Sequence, residues 1–154
     1  MLTLDQLKLA LNLVNIRRFQ THRLLAERNV AEHSFRAGMI YAYLGGKELI
    51  AMFGHDIEES VTGDLPSPIK KDLQGLEKYE AMRPEFEDKA EQRLGKLSDK
   101  LELVLTLREQ LLDTGRLPPK LMEIYETELD AAKDIAKEVG RVKEVNKLLK
   151  EINT

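Results

Sequence analysis

The sequence predicts an all-α protein of about six or seven helices, on three observations. Apolar residues recur at spacings of three and four along most of the chain, the period of a helix face. Glycines and prolines fall where such stretches would end, at Gly45-Gly46, Gly63, Pro66, Arg83-Pro84, Gly115 and Gly140. No segment alternates apolar and polar residues with the two-residue period of a half-buried strand.

The elements follow in order. Leu4, Leu7, Leu11 and Val14 make one apolar stripe, and Thr3 with Gln6 forms a capping box at its start. Residues 16–29 are rich in arginine, lack a stripe and read as a connecting turn. A second helix is expected over 31–44, stopped by Gly45-Gly46, and a third over 47–60, carrying Leu49, Ile50, Phe53 and Ile57. Residues 61–68 form a loop, because Gly63 admits unusual backbone angles and Pro66 and Pro68 break helices. A further helix begins near Ser67, passes Ile69 and Leu73, and is interrupted at Arg83-Pro84. A long helical segment covers 85–114 and ends at Gly115; 118–138 and 141–152 make two more, parted by Gly140.

The composition narrows the function. At 154 residues the chain is read as one domain, 1–154, large enough for a real core. Hydrophobic residues make up 42% and charged residues 33%, as in a soluble helical protein. No apolar run is long enough for a membrane span. The start MLTLDQLKLA has neither the basic opening nor the apolar block of a signal peptide, and there is no cysteine, so a cytoplasmic location is expected. The net charge of −3 makes nucleic acid an unexpected partner, whereas a small phosphorylated substrate needs only a few local cations.

Three separated pieces carry the chemistry: His33, the pair His55-Asp56, and Asp99. Imidazole nitrogens and carboxylate oxygens together suit one divalent ion. Asp99 lies on a helix that is apolar nearly all round, with Leu94, Leu97, Leu101 and Leu105 on one side and Leu103 and Leu107 towards the other. A carboxylate buried there must be paired or bound to a metal; Lys96 and Arg108 are the local alternatives. Glu59 follows His55 by four residues and, on one helix, would share its face, whereas Glu58 is expected to face solvent.

The pattern His33…His55-Asp56…Asp99 resembles the H…HD…D signature of the HD-domain phosphohydrolases. Arg28-Asn29-Val30-Ala31-Glu32-His33-Ser34 is similar to the E-N-V-x-E-H-S stretch of the bacterial 5′-deoxynucleotidase branch, with Arg28 where the branch has Glu. The string HDIEESVTGDLPSPIK over 55–70 resembles that branch's H-D-x-x-E-x-x-T-G-D-L-P-x-P-x-K block almost throughout, and Lys96-Leu97-Ser98-Asp99 resembles its K-x-x-D. The resemblance covers about residues 12–110 and implies an HD-domain helical bundle.

It also implies roles. His33, His55, Asp56 and Asp99 would bind one divalent metal. Glu59 would assist water attack and protonate the leaving oxygen. Asp64 would lie near the reacting centre and the deoxyribose. Arg18 would grip phosphate, although its neighbour Arg17 has the same chemistry; Lys70 and Lys96 are further candidates for phosphate contact, with surface charge as the alternative. Phe19 stands where the branch carries tryptophan against the sugar, a change that bears on discrimination against a ribose 2′-hydroxyl. Mn²⁺, Co²⁺, Zn²⁺, Fe²⁺ and Mg²⁺ all suit two His and two Asp, with imidazole disfavouring Mg²⁺.

The implied activity is metal-dependent hydrolysis of deoxynucleotides, releasing phosphate from deoxynucleoside 5′-monophosphates. The alternative is release of triphosphate from a dNTP, because short phage-type relatives of the branch destroy dATP. A non-catalytic nucleotide-binding module is disfavoured, since every ligand position and Glu59 are filled. A cyclic-dinucleotide phosphodiesterase is disfavoured by the lack of a visible second metal cluster. The apolar stripe Leu121, Ile124, Tyr125, Leu129, Ala132, Ile135 and Val139 either closes the core or forms a homodimer or higher homo-oligomer, as in the related enzymes.

Overall fold

The computed structural model describes Asp5 and residues 11–16, 29–64 and 75–151, with only the backbone of Val14. The described residues form seven α-helices and a 3-10 turn at Leu13–Asn15, with no strand among them. The helices are α1 (Val30–Tyr43), α2 (Leu49–Phe53), α3 (Glu59–Thr62), α4 (Glu77–Glu80), α5 (Lys89–Thr114), α6 (Pro119–Glu138) and α7 (Val142–Glu151). They fall into two compact units: residues 1–38 with 48–86, and residues 39–47 with 87–154.

In the first unit, the Asn29 side chain accepts the backbone N–H of Glu32 at 2.8 Å and caps α1, so the helix starts one residue earlier than its pattern suggested. Val30, His33, Ser34 and Ala37 are buried at three- and four-residue spacing, which places His33 on the inward stripe of α1. Phe53 packs against α1 at Gly38, where a Cβ would stand 2.2 Å from the ring; glycine makes this approach feasible. The backbone N–H of Val30 donates to Ile16 at 2.9 Å. α3 packs against the Leu13–Asn15 turn. There Leu13 is buried and Leu11 is 69% exposed, so the stripe expected through Leu11 is corrected at that position. Leu4, Leu7 and the helix expected from Ser67 through Leu73 lie outside the described residues.

The single helix expected over 47–60 is two short helices parted by a turn at 54–58. Through this break the backbone bonds tighten to three-residue spacing: Ile57 N–H to Gly54 at 3.1 Å, Glu59 N–H to Asp56 at 3.0 Å. Ile57 is fully buried and anchors the turn, while Leu49 and Ile50 are exposed rather than in the core.

The second unit is built on α5, whose N-terminus is capped by Asp88 accepting from Ala90 N–H at 2.7 Å. It ends at Gly115, which adopts the left-handed conformation (φ 71°) that stops helices without steric cost. Leu94, Leu97, Leu101, Val104, Leu105 and Leu107 are buried, as the all-round apolar pattern required. α6 packs along α5 and α7 against α6. Leu121, Ala132 and Ile135 of α6 and Val145 of α7 supply that core, and Lys100–Glu128 and Arg93–Glu138 pair along its edge. No helix among the described residues is long and apolar enough to cross a membrane.

Candidate metal centre

The turn at 54–58 sets the centre. His55 and Asp56 sit in it, and α1 presents His33 from its buried stripe, 2% exposed. His33 Nε2 lies 3.3 Å from His55 Nε2, and each lies 3.2 Å from Asp56 Oδ2. His55 Nδ1 is 2.6 Å from the Met52 carbonyl oxygen. A carbonyl only accepts, so Nδ1 carries the proton and Nε2 turns a lone pair towards Asp56 Oδ2. A lone pair facing a carboxylate oxygen is repulsive unless a cation stands between them. A proton on His33 Nε2 would serve one such contact at a time, whereas a metal ion serves all.

The spacing fits as well. Donors about 2.0–2.2 Å from a common ion, at angles between octahedral and tetrahedral, lie about 2.8–3.6 Å apart. The triangle of 3.2, 3.2 and 3.3 Å falls within that span. His33, His55 and Asp56 therefore suit a divalent ion by donor type, tautomer and separation.

Beside the triangle lies a second acidic group. Asp56, Glu58 and Glu59 each present a carboxylate oxygen, and the three lie within 4.8 Å of one another. Glu59 is buried at the start of α3. The tight turn, rather than one continuous helix face, brings it beside Asp56. Glu58, expected to face solvent, is instead 2% exposed and ion-paired with Arg83, a pairing between residues 25 apart that no local pattern announces. The hydrogen bond to Glu58, together with the negative charge of Asp56 and Glu80, raises the Arg83 pKa further above its already high value.

Asp64 is half-buried in the segment after Gly63, whose φ is 74°. Asp99 is half-buried on α5 in the second unit, flanked by buried Ser98 and followed by buried Leu101 and Glu102. Arg17, Arg18, Phe19, Arg28 and Lys70 lie outside the described residues, and Lys96 is exposed.

An all-helical fold carrying a His–His–Asp donor set agrees with the resemblance to the HD-domain phosphohydrolases. Residues 6–112 match the family model described as 5′-deoxynucleotidase YfbR-like, and the chain belongs to that family. It is an enzyme that acts on deoxynucleotides, and its His and Asp donors could hold a metal ion. Solved structures share the fold. An HD-domain phosphohydrolase from Listeria innocua aligns with a TM-score of 0.69 at 19% identity, covering 96% of this chain and 86% of the other. The HD phosphohydrolase DatZ of cyanophage S-2L, bound to dA and one catalytic Zn²⁺, aligns at 0.65 and 19% identity, covering 96% and 98%. A conserved hypothetical protein from Pyrococcus furiosus aligns at 0.68 and 22% identity, covering 94% and 99%. No curated protein matches the sequence.

Proposed function

We propose that this enzyme hydrolyses deoxynucleoside 5′-monophosphates to deoxynucleoside and inorganic phosphate. The observation that carries the reading is the family match across 6–112, which spans the His33, His55-Asp56 donor triangle. The full ligand set proposed is His33, His55, Asp56 and Asp99, so that residues 1–154 work as one catalytic domain. A divalent ion held there acidifies water and neutralises charge on phosphate oxygens. Zn²⁺ is a natural first choice for two imidazoles and carboxylates, and the phage neighbour carries it.

The chain's own residues do the rest. Water attacks phosphorus in line as the bond to the 5′ oxygen breaks. Glu59 takes the proton of the attacking water and returns one to the leaving 5′ oxygen. Asp64 lies by the reacting centre and hydrogen-bonds the deoxyribose. Arg18 donates two parallel hydrogen bonds to the phosphate, with Lys70 adding charge. Phe19 packs against the sugar.

A dNTP triphosphohydrolase is the second reading; the dA bound to the phage neighbour is the nucleoside that either reaction would release. The cytoplasm is the proposed location. A homo-oligomer is the proposed assembly, supported by the exposed α1 side chains Phe35, Met39 and Tyr43 at four-residue intervals.

Product analysis tests the reading. Metal-stripped protein resupplied with Mn²⁺, Co²⁺ or Zn²⁺ is incubated with each dNMP, each dNTP and the ribonucleotides. Deoxynucleoside and phosphate from dNMPs is the expected result. Intact triphosphate from dNTPs would replace it with the second reading, and no product with metal bound would refute both.

A further inference from the structure

Residues 83 and 84 are held on the His55-Asp56 turn by two contacts. The Pro84 ring lies so close to Gly54 that a Cβ there would stand 2.4 Å from Pro84 Cγ. Arg83 pairs through one guanidinium nitrogen with Glu58 Oε1. The pair is one-pronged: Glu58 Oε2 and Arg83 Nε are both buried and without a hydrogen-bond partner among the described residues. Glu58 thus keeps an uncommitted oxygen in a side chain 2% exposed.

That carboxylate belongs to the Asp56–Glu58–Glu59 group, gathered within 4.8 Å. Three carboxylates so close repel unless a cation joins them, and hard divalent cations bind such oxygen sets. Arg83 brings a permanently charged guanidinium to Glu58, and Asp56 adds to the negative field around it.

We propose that Arg83 is a positioning residue that takes the place of a second divalent ion. It neutralises Glu58 beside Asp56 and limits the centre to one metal per chain. Pro84, seated on Gly54, fixes where Arg83 stands. The inference rests on the reading that His33, His55 and Asp56 hold the catalytic ion. It goes beyond that reading by assigning the metal stoichiometry to one arginine.

The test counts metal. Metal-stripped full-length protein is titrated with Mn²⁺, free ion is read by electron paramagnetic resonance, and bound ion is examined for exchange coupling between neighbours. Wild type should take one Mn²⁺ per chain even in excess. Arg83→Met should take two, a doubling, with a coupled signal. The double variant Arg83→Met with Glu58→Gln should return to one. Arg83→Met that binds one ion with wild-type affinity would overturn the proposal, as would wild type binding two. Loss of folding in Arg83→Met is also informative. Recovery of its thermal transition on adding Mn²⁺ is expected, whereas failure to fold with Mn²⁺, when the double variant folds, would overturn the proposal. Wild type that binds no Mn²⁺ would instead sink the metal reading itself.

Discussion

Gly54→Ala puts the clamp on the turn to a quantitative test. Gly54 adopts φ −97° and ψ 7°, a conformation open to any residue, so backbone strain does not require glycine here. Space does. An added Cβ would stand 2.4 Å from Pro84 Cγ, 2.7 Å from Pro84 Cδ and 3.3 Å from the Ile50 carbonyl oxygen. Non-bonded carbons rest about 3.5–4.0 Å apart, so the shortfall is roughly 1 Å or more. The proline ring cannot rotate aside, and Ile50 is helix backbone; the chain at Pro84 must move. Overpacking of this kind costs about 1–3 kcal/mol. The lower chain entropy of unfolded alanine offsets about 0.4–1 kcal/mol of that. A net loss near 1–2 kcal/mol lowers the melting temperature by about 2–8 °C for a chain of this size. The assay is a double-mutant cycle read by calorimetry. With Pro84→Ala in the background, the cost of Gly54→Ala should nearly vanish. An equal cost in both backgrounds would refute the steric argument, because the penalty would then have another source.

Three other outcomes are expected. His55→Ala should abolish Mn²⁺ uptake and turnover together, whereas Glu59→Gln should keep the ion and lose about 10²–10⁴-fold in kcat; unchanged turnover would remove Glu59 from proton transfer. Ile57→Ala, at a fully buried anchor of the turn, should cost about 2–5 kcal/mol in chemical denaturation, and a change under 1 kcal/mol would show that the turn does not depend on it. The Tyr41 hydroxyl and the Lys47 backbone N–H both donate to Glu91 and hold its carboxyl below the usual glutamate range. Its contribution is therefore complete above the ordinary glutamate pKa and is lost as pH falls through the lowered folded value. Tyr41→Phe should be less stable than wild type at neutral pH, with the gap closing in acid; a gap independent of pH would show that only packing is lost.

Much of the fold was legible because helices state themselves locally. The helix expected over 31–44, the all-round apolar α5, and the stops at Gly45, Gly115 and Gly140 all rest on patterns within one element. His33 and the His55-Asp56 pair were legible for another reason: their donor atoms suit one divalent ion, and their order resembles the H…HD…D signature. The break at 54–58 was not legible, because Leu49, Ile50, Phe53 and Ile57 satisfy a helical period whether or not the backbone between them tightens.

Glu58 was misread for the same underlying reason. In a single helix its neighbour Glu59 shares the face of His55, and Glu58 turns away to water. In the tight turn both point inward, and the cost of burying Glu58 is offset by Arg83, 25 residues later. A buried charge is specified by its partner, and partner choice depends on how distant segments meet. The buried Glu58 and the close approach at Gly54 thus belong together: Arg83 and Pro84, adjacent in sequence, meet the turn at both places. The chain tolerates a glycine and a buried glutamate there because together they let residues 83 and 84 pack against the turn that gathers Asp56, Glu58 and Glu59.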